Sequence, residues 1–216
     1  MGWMRLQDQV HVACYIVGPV ETNCYLVWSP ATREAVVIDP GGETEEILAD
    51  LQRLDLSVRM VINTHGHADH ILGNKEIIDK TGAVLAIGAE DARMLTKPVL
   101  NLSGWFGAPY ASPAPDRLLR RGDEFTVGEA VFTVRSTPGH TPGGISLIGA
   151  GLAFTGDTLF AGSIGRTDFP GGGQGILLAS IARELLTLPD ATVVHPGHGP
   201  SSSIGAEKSG NPFLLG

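Results

Sequence analysis

The segment INTHGHADHILG, residues 62–73, places the strongest constraint on what this chain can fold into. It carries three histidines and an aspartate within a few positions, directly after the apolar run VRMVINT. His65 and His67 are two residues apart, so their side chains fall on the same side of an extended backbone. Asp69 and His70 follow where the chain turns towards a helix. Four side chains of metal-ligating type therefore leave one strand end, which predicts a cation site there.

Three further candidates lie downstream, each in a glycine-containing turn after an apolar strand. They are His140 in STPGHTPGG, Asp157 in AFTGDTLF and His198 in VVHPGHGP. Loops at strand ends are where functional sites are usually assembled, and glycine lets the backbone approach a site closely. His195, three residues before His198, is left open as a ligand, a supporting residue or a core residue. His11 has no motif around it and is predicted to be a surface or sheet residue.

The hydrophobic periodicity predicts alternating β-rich and helical blocks without a linker. The predicted strands cover residues 10–17, 23–28, 34–39, 58–64, 83–87, 130–135, 144–149, 152–156 and 191–196. The predicted helices cover residues 43–54, 71–81 and 174–188. A proline-rich segment over 96–116 has no clear period and is predicted to be a long functional loop. This order of elements favours two mixed sheets packed together, with helices outside.

Composition restricts the partners that the chain can have. Its 216 residues suit one large domain, and 43% hydrophobic with 18% charged residues is ordinary for a globular protein. A net charge of −8 argues against a nucleic-acid partner. The N-terminal segment looks like neither a signal peptide nor a membrane span, and Cys14 and Cys24 are predicted to be two buried thiols. We therefore expect a cytoplasmic protein with no membrane or nucleic-acid partner, of undetermined oligomeric state.

The motif THGHADH resembles the T-H-x-H-x-D-H signature of the metallo-β-lactamase superfamily. PGHTPGG, TGDTLF and PGHGP resemble the later metal motifs of that superfamily, in the same order, and the resemblance spans roughly residues 10–213. GRTDFP and the tail GAEKSGNPF are similar to the short bacterial glyoxalase II-like (hydroxyacylglutathione hydrolase-like) branch. The resemblance implies an α/β chain with an αββα sandwich and metals at one sheet edge. It implies a single hydrolase domain over 1–216, with a core of about 10–200 and a short tail over 201–216.

The resemblance also implies a complete set of ligands for two divalent metal ions per chain. His65, His67 and His140 would hold one ion, Asp69, His70 and His198 the second, and Asp157 would bridge them. A metal-bridging hydroxide held by Asp69 and Asp157 would then attack the substrate. Zinc is expected first, and iron or manganese also suit imidazole and carboxylate ligands. Five neutral imidazoles and two carboxylates leave the loaded site positively charged, which favours an anionic substrate.

Residues around this ligand set have two interpretations each. Asp39 in VVIDPGG matches a family position from which it would orient a ligand histidine; the alternative is a plain turn aspartate. Arg166 would grip a substrate carboxylate as a bidentate fork, or instead form a salt bridge with an acid such as Asp168. The aromatic residues of the proline-rich segment would line the substrate pocket or simply pack; they are Trp105, Phe106 and Tyr110.

The activity implied is hydrolysis of a small anionic thioester such as S-D-lactoylglutathione, because a thiolate leaves without a strong general acid. Only 18 residues follow His198, so the helical domain that binds glutathione in full-length glyoxalase II is expected to be absent. Two alternatives remain. A mononuclear-iron persulfide dioxygenase of the same fold also resembles the chain in its GRTD stretch, and a metal-binding module with little catalytic activity would share the ligands.

Overall fold

The computed structural model of the protein describes residues 9–215, except for the side chain of Phe106. Its first sheet has the strand order β1-β2-β3-β4-β5-β6. The strands β1 to β3 are antiparallel neighbours, whereas β3 to β6 pair in parallel. The six strands are β1 (His11–Val17), β2 (Thr22–Trp28), β3 (Glu34–Ile38), β4 (Ser57–Asn63), β5 (Val84–Gly88) and β6 (Arg117–Leu119).

The second sheet has the order β14-β13-β10-β9-β8-β7, and the short strands β11 and β12 form a separate hairpin. Only the pair β10 and β13 is parallel in this sheet. The strands are β7 (Glu124–Val127), β8 (Ala130–Ser136), β9 (Ile145–Gly149), β10 (Leu152–Gly156), β11 (Leu159–Phe160), β12 (Ser163–Ile164), β13 (Val193–Pro196) and β14 (Ser202–Ser203).

Helices cover the outer faces of the two sheets. They are α1 (Glu45–Arg53), α2 (Ala68–Ile71), α3 (Asn74–Thr81), α4 (Ala92–Thr96), α5 (Pro98–Asn101), α6 (Gln174–Ser180) and α7 (Ile204–Gly210). Two 3₁₀ turns lie at Ala89–Asp91 and Ser103–Phe106, and a π-helical turn, Ile181–Leu185, continues α6. No helix within residues 9–215 has the length and apolar character needed to cross a bilayer.

The alternation of side chains along the strands produces the layers. On β3, Val36 and Ile38 point into the core between the sheets, where they meet Phe132 and Phe154 of the second sheet. Val37, on the opposite face of β3, packs in the core beneath the helices that cover the first sheet. A third core lies where α6, the π-helical turn and α7 cover the second sheet. The predicted αββα sandwich is therefore the observed architecture.

Several predicted elements are wrong in detail. The helix expected over 71–81 begins only at Asn74, as α3, and the separate short helix α2 precedes it. Between the two helices Gly73 donates its amide to the carbonyl of Pro40 at 2.7 Å. The proline-rich segment contains α5 and a 3₁₀ turn, since Pro98 takes the first helical position, where its missing N–H costs nothing. The tail over 201–216 contains β14 and α7, which begins where Ser203 Oγ accepts the amide of Ala206 at 3.2 Å.

The helix expected over 174–188 ends α-helically at Ser180 and continues as the π-helical turn to Leu185. The periodicity missed β6 and β7, which have only three and four residues and too few apolar positions to show alternation. It also missed the two-residue strands of the β11–β12 hairpin.

The two cysteines do not share one environment. Both are free, and they lie diagonally across neighbouring strands, since Cys14 pairs with Tyr25 and Tyr15 pairs with Cys24. Cys24 is buried, as predicted, but Cys14 is exposed. The prediction of two buried thiols is therefore wrong for Cys14, because β1 is an edge strand and has one face in contact with solvent.

Removing a ring from the core between the sheets should destabilise the fold strongly. Phe132 is 1% exposed, and its neighbour on β8, Val131, is 49% exposed. We expect Phe132→Ala to lower the free energy of unfolding by about 3–5 kcal/mol. The matched change Val131→Ala should stay within about 0.5 kcal/mol. Urea denaturation followed by circular dichroism checks both, and equal effects would contradict the assignment of this core.

Candidate metal centre

The predicted ligands meet at one end of the sandwich, where strands of both sheets finish. His65, His67, Asp69 and His70 follow β4 of the first sheet. The remaining residues follow strands of the second sheet, where His140 lies in the turn after β8, Asp157 directly after β10 and His198 after β13. The structure thus brings together all seven residues that the sequence singles out.

The ligand atoms form three overlapping groups, in each of which they lie within 4.8 Å of one another. The groups are His65, His67 and His140; His65, His70 and Asp157; and Asp69, His70 and His198. The first and third groups correspond to the two expected ion sites.

Asp157 lies between the two expected sites, and its two oxygens face different histidines. Oδ2 is 3.5 Å from His140 Nε2, whereas Oδ1 is 3.4 Å from His70 Nε2 and 3.7 Å from His198 Nε2. Asp69 Oδ2 is 3.3 Å from His198 Nε2. Asp157 therefore has the position that a bridging ligand requires, with one oxygen towards each site.

The atoms that point into this centre have unused bonding capacity. His65 Nε2, His70 Nε2 and Asp157 Oδ1 are buried and have no hydrogen-bond partner. A buried polar atom without a partner is costly, and these three converge on the same small volume. On the other side of the centre His67 Nδ1 lies 2.9 Å from His140 Nε2. The donor set therefore fits divalent cations that accept imidazole and carboxylate ligands.

Oxygen atoms behind the histidines fix which ring nitrogen faces the centre. His140 Nδ1 is 2.7 Å from the carbonyl oxygen of Arg166, and His198 Nδ1 is 3.1 Å from that of Val20. Since a carbonyl only accepts, both histidines donate from Nδ1. Their Nε2 atoms then carry no proton and face the centre, as is usual for metal-ligating histidines.

Asp39 supports two ligand histidines at once. Its Oδ2 lies 3.0 Å from His70 Nδ1 and accepts the Thr64 hydroxyl at 2.7 Å. Thr64 Oγ1 is in turn 3.2 Å from His65 Nδ1 and can accept its proton. Asp39 Oδ1 also accepts the Thr64 amide at 2.7 Å. The structure therefore places Asp39 where the sequence predicted, although its role in metal binding stays a prediction.

Burial and charge set the protonation of the histidines. Burial, reinforced by the neighbouring histidines, holds the pKa of His65 well below its ordinary value and lowers the pKa of His67 to about 3. Both are neutral near pH 7, the form that ligates a metal. Burial would also lower the pKa of His70, but Asp39, Asp69 and Asp157 raise it well above its usual range. These carboxylates stabilise positive charge at this side of the centre.

The other predicted residues differ in where they lie. A cleft of about 570 Å³ opens above the centre, and Trp105 and Arg166 line it. Tyr110 packs instead against the core beneath the first sheet, so the structure does not bring it to the cleft. The side chain of Phe106 lies outside the described part of the chain. Arg166 forms two hydrogen bonds to Asp168, both at 2.8 Å, which is the salt bridge considered as the alternative.

Neither of the other two histidines joins the centre. His195 belongs to none of the ligand groups; its ring stacks on Phe154 at 5.0 Å, and its Nδ1 contacts Ser201 Oγ at 3.1 Å. The structure therefore favours a packing role for it. His11 is exposed on β1 and contacts Trp28 edge-to-face.

The sequence did not indicate Asp91, which lies at the same end of the first sheet, just after β5. Its Oδ1 accepts the amide of Gly143 at 2.7 Å, and its Oδ2 accepts the amide of Gly66 at 3.2 Å. Gly66 separates two ligand histidines, and Gly143 closes the turn that holds His140. One buried carboxylate thus joins two loops that carry ligands. Its position after an apolar strand is one that the candidate ligands share. A single acidic residue in a helical turn is common, however, so the sequence alone did not distinguish it.

Phe160 and Phe169 were also missed as lining residues of the cleft. Both lie in the stretch between Asp157 and the end of GRTDFP, where the sequence drew attention to Arg166 alone. Phe169 packs edge-to-face on His67, with ring centroids 5.2 Å apart. A phenylalanine in so short and turn-rich a stretch gives no periodic signal from which its exposure to a cleft could be predicted.

Comparisons with known proteins agree with this geometry. The family model of the metallo-beta-lactamase superfamily matches residues 17–198. The chain belongs to the metallo-beta-lactamase superfamily. It is 37% identical over 202 residues to hydroxyacylglutathione hydrolase GloC of Haemophilus influenzae, with 92% of this chain and 95% of that protein covered.

Two solved structures of the superfamily share both fold and sequence similarity with the chain. The B3 metallo-beta-lactamase BLEG-1 superposes with a TM-score of 0.91 at 38% identity, covering 95% of this chain and all of that one (100%). ETHE1 from Myxococcus xanthus superposes with a TM-score of 0.75 at 36% identity, covering 94% of this chain and 83% of that one. The predicted superfamily and its fold are confirmed, and the superfamily is one of metallo-hydrolases.

Loss of the negative charge at Asp39 should weaken metal binding. Asp39 has a positive φ of 52°, a conformation that asparagine also tolerates, so Asp39→Asn keeps the local backbone conformation. We expect metal affinity to fall about 10- to 100-fold, since Asp39 lies 3.0 Å from His70 Nδ1 and reaches His65 through the Thr64 hydroxyl. Competition with a chromophoric chelator measures it. Asp55→Asn is the matched control, because Asp55 has the same φ of 52° away from the site.

Asp91→Asn tests the joining of the two ligand loops. The side-chain amide would present N–H to one of the two backbone amides, so one buried donor loses its acceptor. We expect the free energy of unfolding to fall by about 1–3 kcal/mol and metal affinity to fall with it. Glu90→Gln is the control. The Glu90 side chain is 59% exposed, and its ion pair with Arg120 is long at 3.7 Å. Thermal unfolding that is the same in both variants would rule out this role.

Proposed function

We propose that the protein is a metal-dependent hydrolase of small thioesters, with S-D-lactoylglutathione as the first substrate to test. The observation that carries the proposal is the position of Asp157 between two complete ligand groups at the floor of the cleft. Such a set suits two divalent ions, whereas a lone structural ion needs only one closed group. The similarity to hydroxyacylglutathione hydrolase GloC supports thioester chemistry in particular.

The residues that would hold the ions are those predicted from the sequence: His65, His67 and His140 on one side, Asp69, His70 and His198 on the other, and Asp157 between them. Two bound divalent ions would lower the pKa of a water to about 7 and stabilise the oxyanion that develops on a carbonyl. Zinc, iron and manganese all suit these ligands, and zinc is proposed first.

The protein's own contribution is to orient these ligands and to shape the cleft. Asp39 and the carbonyl oxygens of Arg166 and Val20 hold the histidine rings in one orientation. Hydrolysis breaks the C–S bond of the thioester, forms a C–O bond with the oxygen of water, and transfers a proton of that water to the departing thiolate. No electron acceptor is needed, and the leaving thiolate requires no strong acid in the cleft.

Metal removal is the first test of this proposal. Elemental mass spectrometry on protein purified without added metal should give about two ions per chain. Dialysis against a chelator should abolish hydrolysis of S-D-lactoylglutathione, and added zinc, iron or manganese should restore it. Hydrolysis that persists in the metal-free protein, or no turnover of any acyl thioester in the loaded one, would contradict the proposal.

Replacement of one candidate ligand should distinguish loss of the metal centre from a general loss of folding. His198→Ala should lower kcat/KM by more than about a hundredfold, beyond the 10- to 100-fold loss typical of outer partners. His11→Ala is the matched control, because His11 is exposed on β1 and far from the ligands in the fold. Both variants should be compared in metal content as well as in activity.

A second function is favoured by the similarity to ETHE1. The alternative is an iron-dependent persulfide dioxygenase. It would bind a single iron ion, and the residues that would hold it are His65, His67, His140 and Asp157. Oxygen uptake with glutathione persulfide distinguishes the two activities. One iron per chain with oxygen uptake would favour the dioxygenase, and tight metal binding without either activity would favour a binding module.

A further inference from the structure

The walls of the cleft are apolar on both sides of the metal centre. Phe169 packs on His67, and Trp105 packs on Phe169 with ring centroids 5.4 Å apart, so two aromatic rings extend outward from one ion site. On the other side Phe160 faces His198 at 6.3 Å. A substrate whose carbonyl lies at the centre would therefore have an aromatic wall next to it on each side.

Trp105 exposes an unusually large ring area to this cleft. Its exposed fraction is 69%, although a tryptophan normally buries most of its surface. A large apolar ring at the wall of a cleft gains free energy when a ligand covers it. The ring is therefore available for an apolar part of the substrate.

The one guanidinium that the structure describes along this cleft is already engaged. Arg166 Nε and one terminal nitrogen each donate to a different oxygen of Asp168 at 2.8 Å, and its Cζ lies 4.0 Å from the centroid of the Phe169 ring. Asp168 thus occupies the fork that would otherwise hold a substrate carboxylate, and the pair has no net charge. The guanidinium of Arg166 lies over the Phe169 ring and remains paired with Asp168 there.

We propose that the cleft selects thioesters whose acyl group is uncharged and apolar, an aryl or medium-length alkyl chain that packs on Trp105 and Phe169, and that Asp168 disfavours acyl groups ending in a carboxylate by occupying Arg166. The proposal deepens the function above and rests on it for turnover. It leaves the thiol part of the substrate free to extend out of the cleft.

The test uses thioesters of one thiol, N-acetylcysteamine, so that only the acyl group varies. Pentanoyl and succinyl groups have similar length and differ in the terminal carboxylate. We expect kcat/KM to be at least tenfold higher for the pentanoyl than for the succinyl thioester, and to rise about fourfold from pentanoyl to hexanoyl. Equal values for pentanoyl and succinyl would overturn the proposal.

Two substitutions should weaken this preference, each through a different substrate. Asp168→Asn removes the negative charge that occupies the fork of Arg166, and we expect it to raise kcat/KM for the succinyl thioester about tenfold relative to that for the pentanoyl thioester. Trp105→Ala should lower kcat/KM for the pentanoyl thioester about tenfold, mainly through KM. Val99→Ala is the control for the second variant, since Val99 is 87% exposed in the same segment and does not line the cleft. An unchanged preference in Asp168→Asn would contradict the role of the ion pair.

A binding measurement separates this proposal from the function on which it rests. Ketone analogues in which a methylene replaces the thioester sulfur cannot be hydrolysed, and titration calorimetry on the purified protein gives their affinities. Tighter binding of the pentanoyl than of the succinyl analogue supports the proposal even if no thioester turns over, in which case only the proposed function fails. Turnover of lactoylglutathione with no preference among the analogues overturns the acyl-group proposal alone.

Discussion

The packing of five imidazoles and two carboxylates at one end of the sandwich, with four of the imidazoles buried, is the constraint on which the rest of the structure depends. Each buried imidazole can satisfy the centre through only one nitrogen, so the other must find an acceptor in the protein. Val20 and Arg166 supply carbonyl oxygens from loops that lie far apart in sequence. The centre thus joins loops from both sheets, and its geometry and the packing of the sandwich stabilise each other.

Close packing of backbone around the ligands explains the glycine-rich turns that the sequence displays. A Cβ atom on Gly41 would overlap the carbonyl oxygen of Asp69, and one on Gly197 would overlap Oδ1 of Asp157. Side chains at these two positions would push ligand-bearing segments apart. The turns are rich in glycine because the backbone itself forms the floor of the centre, and flexibility is not needed to explain them.

The convergence of the candidate ligands was predictable because liganding chemistry, spacing and strand ends coincided in a few short motifs. The helical and sheet layers were predictable from periodicity where the segments were long, as in β3 and α1. The role of Asp91 was not predictable from the sequence, because it depends on two backbone amides that only tertiary folding brings close to the carboxylate. Tyr110 was misplaced for a similar reason: an aromatic residue in a loop has the same sequence context whether it faces a cleft or a core.

The distribution of charge decides how such a site can discriminate among substrates. The chain carries a net charge of −8, so the positive potential of a loaded centre would be confined to the floor of the cleft. There it would act on the reacting carbonyl of every substrate alike, and would not distinguish one acyl group from another. Arg166 could have supplied a second cationic contact further out, but Asp168 neutralises it. Discrimination must then come from the shape and apolar surface of the walls, where Phe169 packs on His67 and Trp105 packs on Phe169.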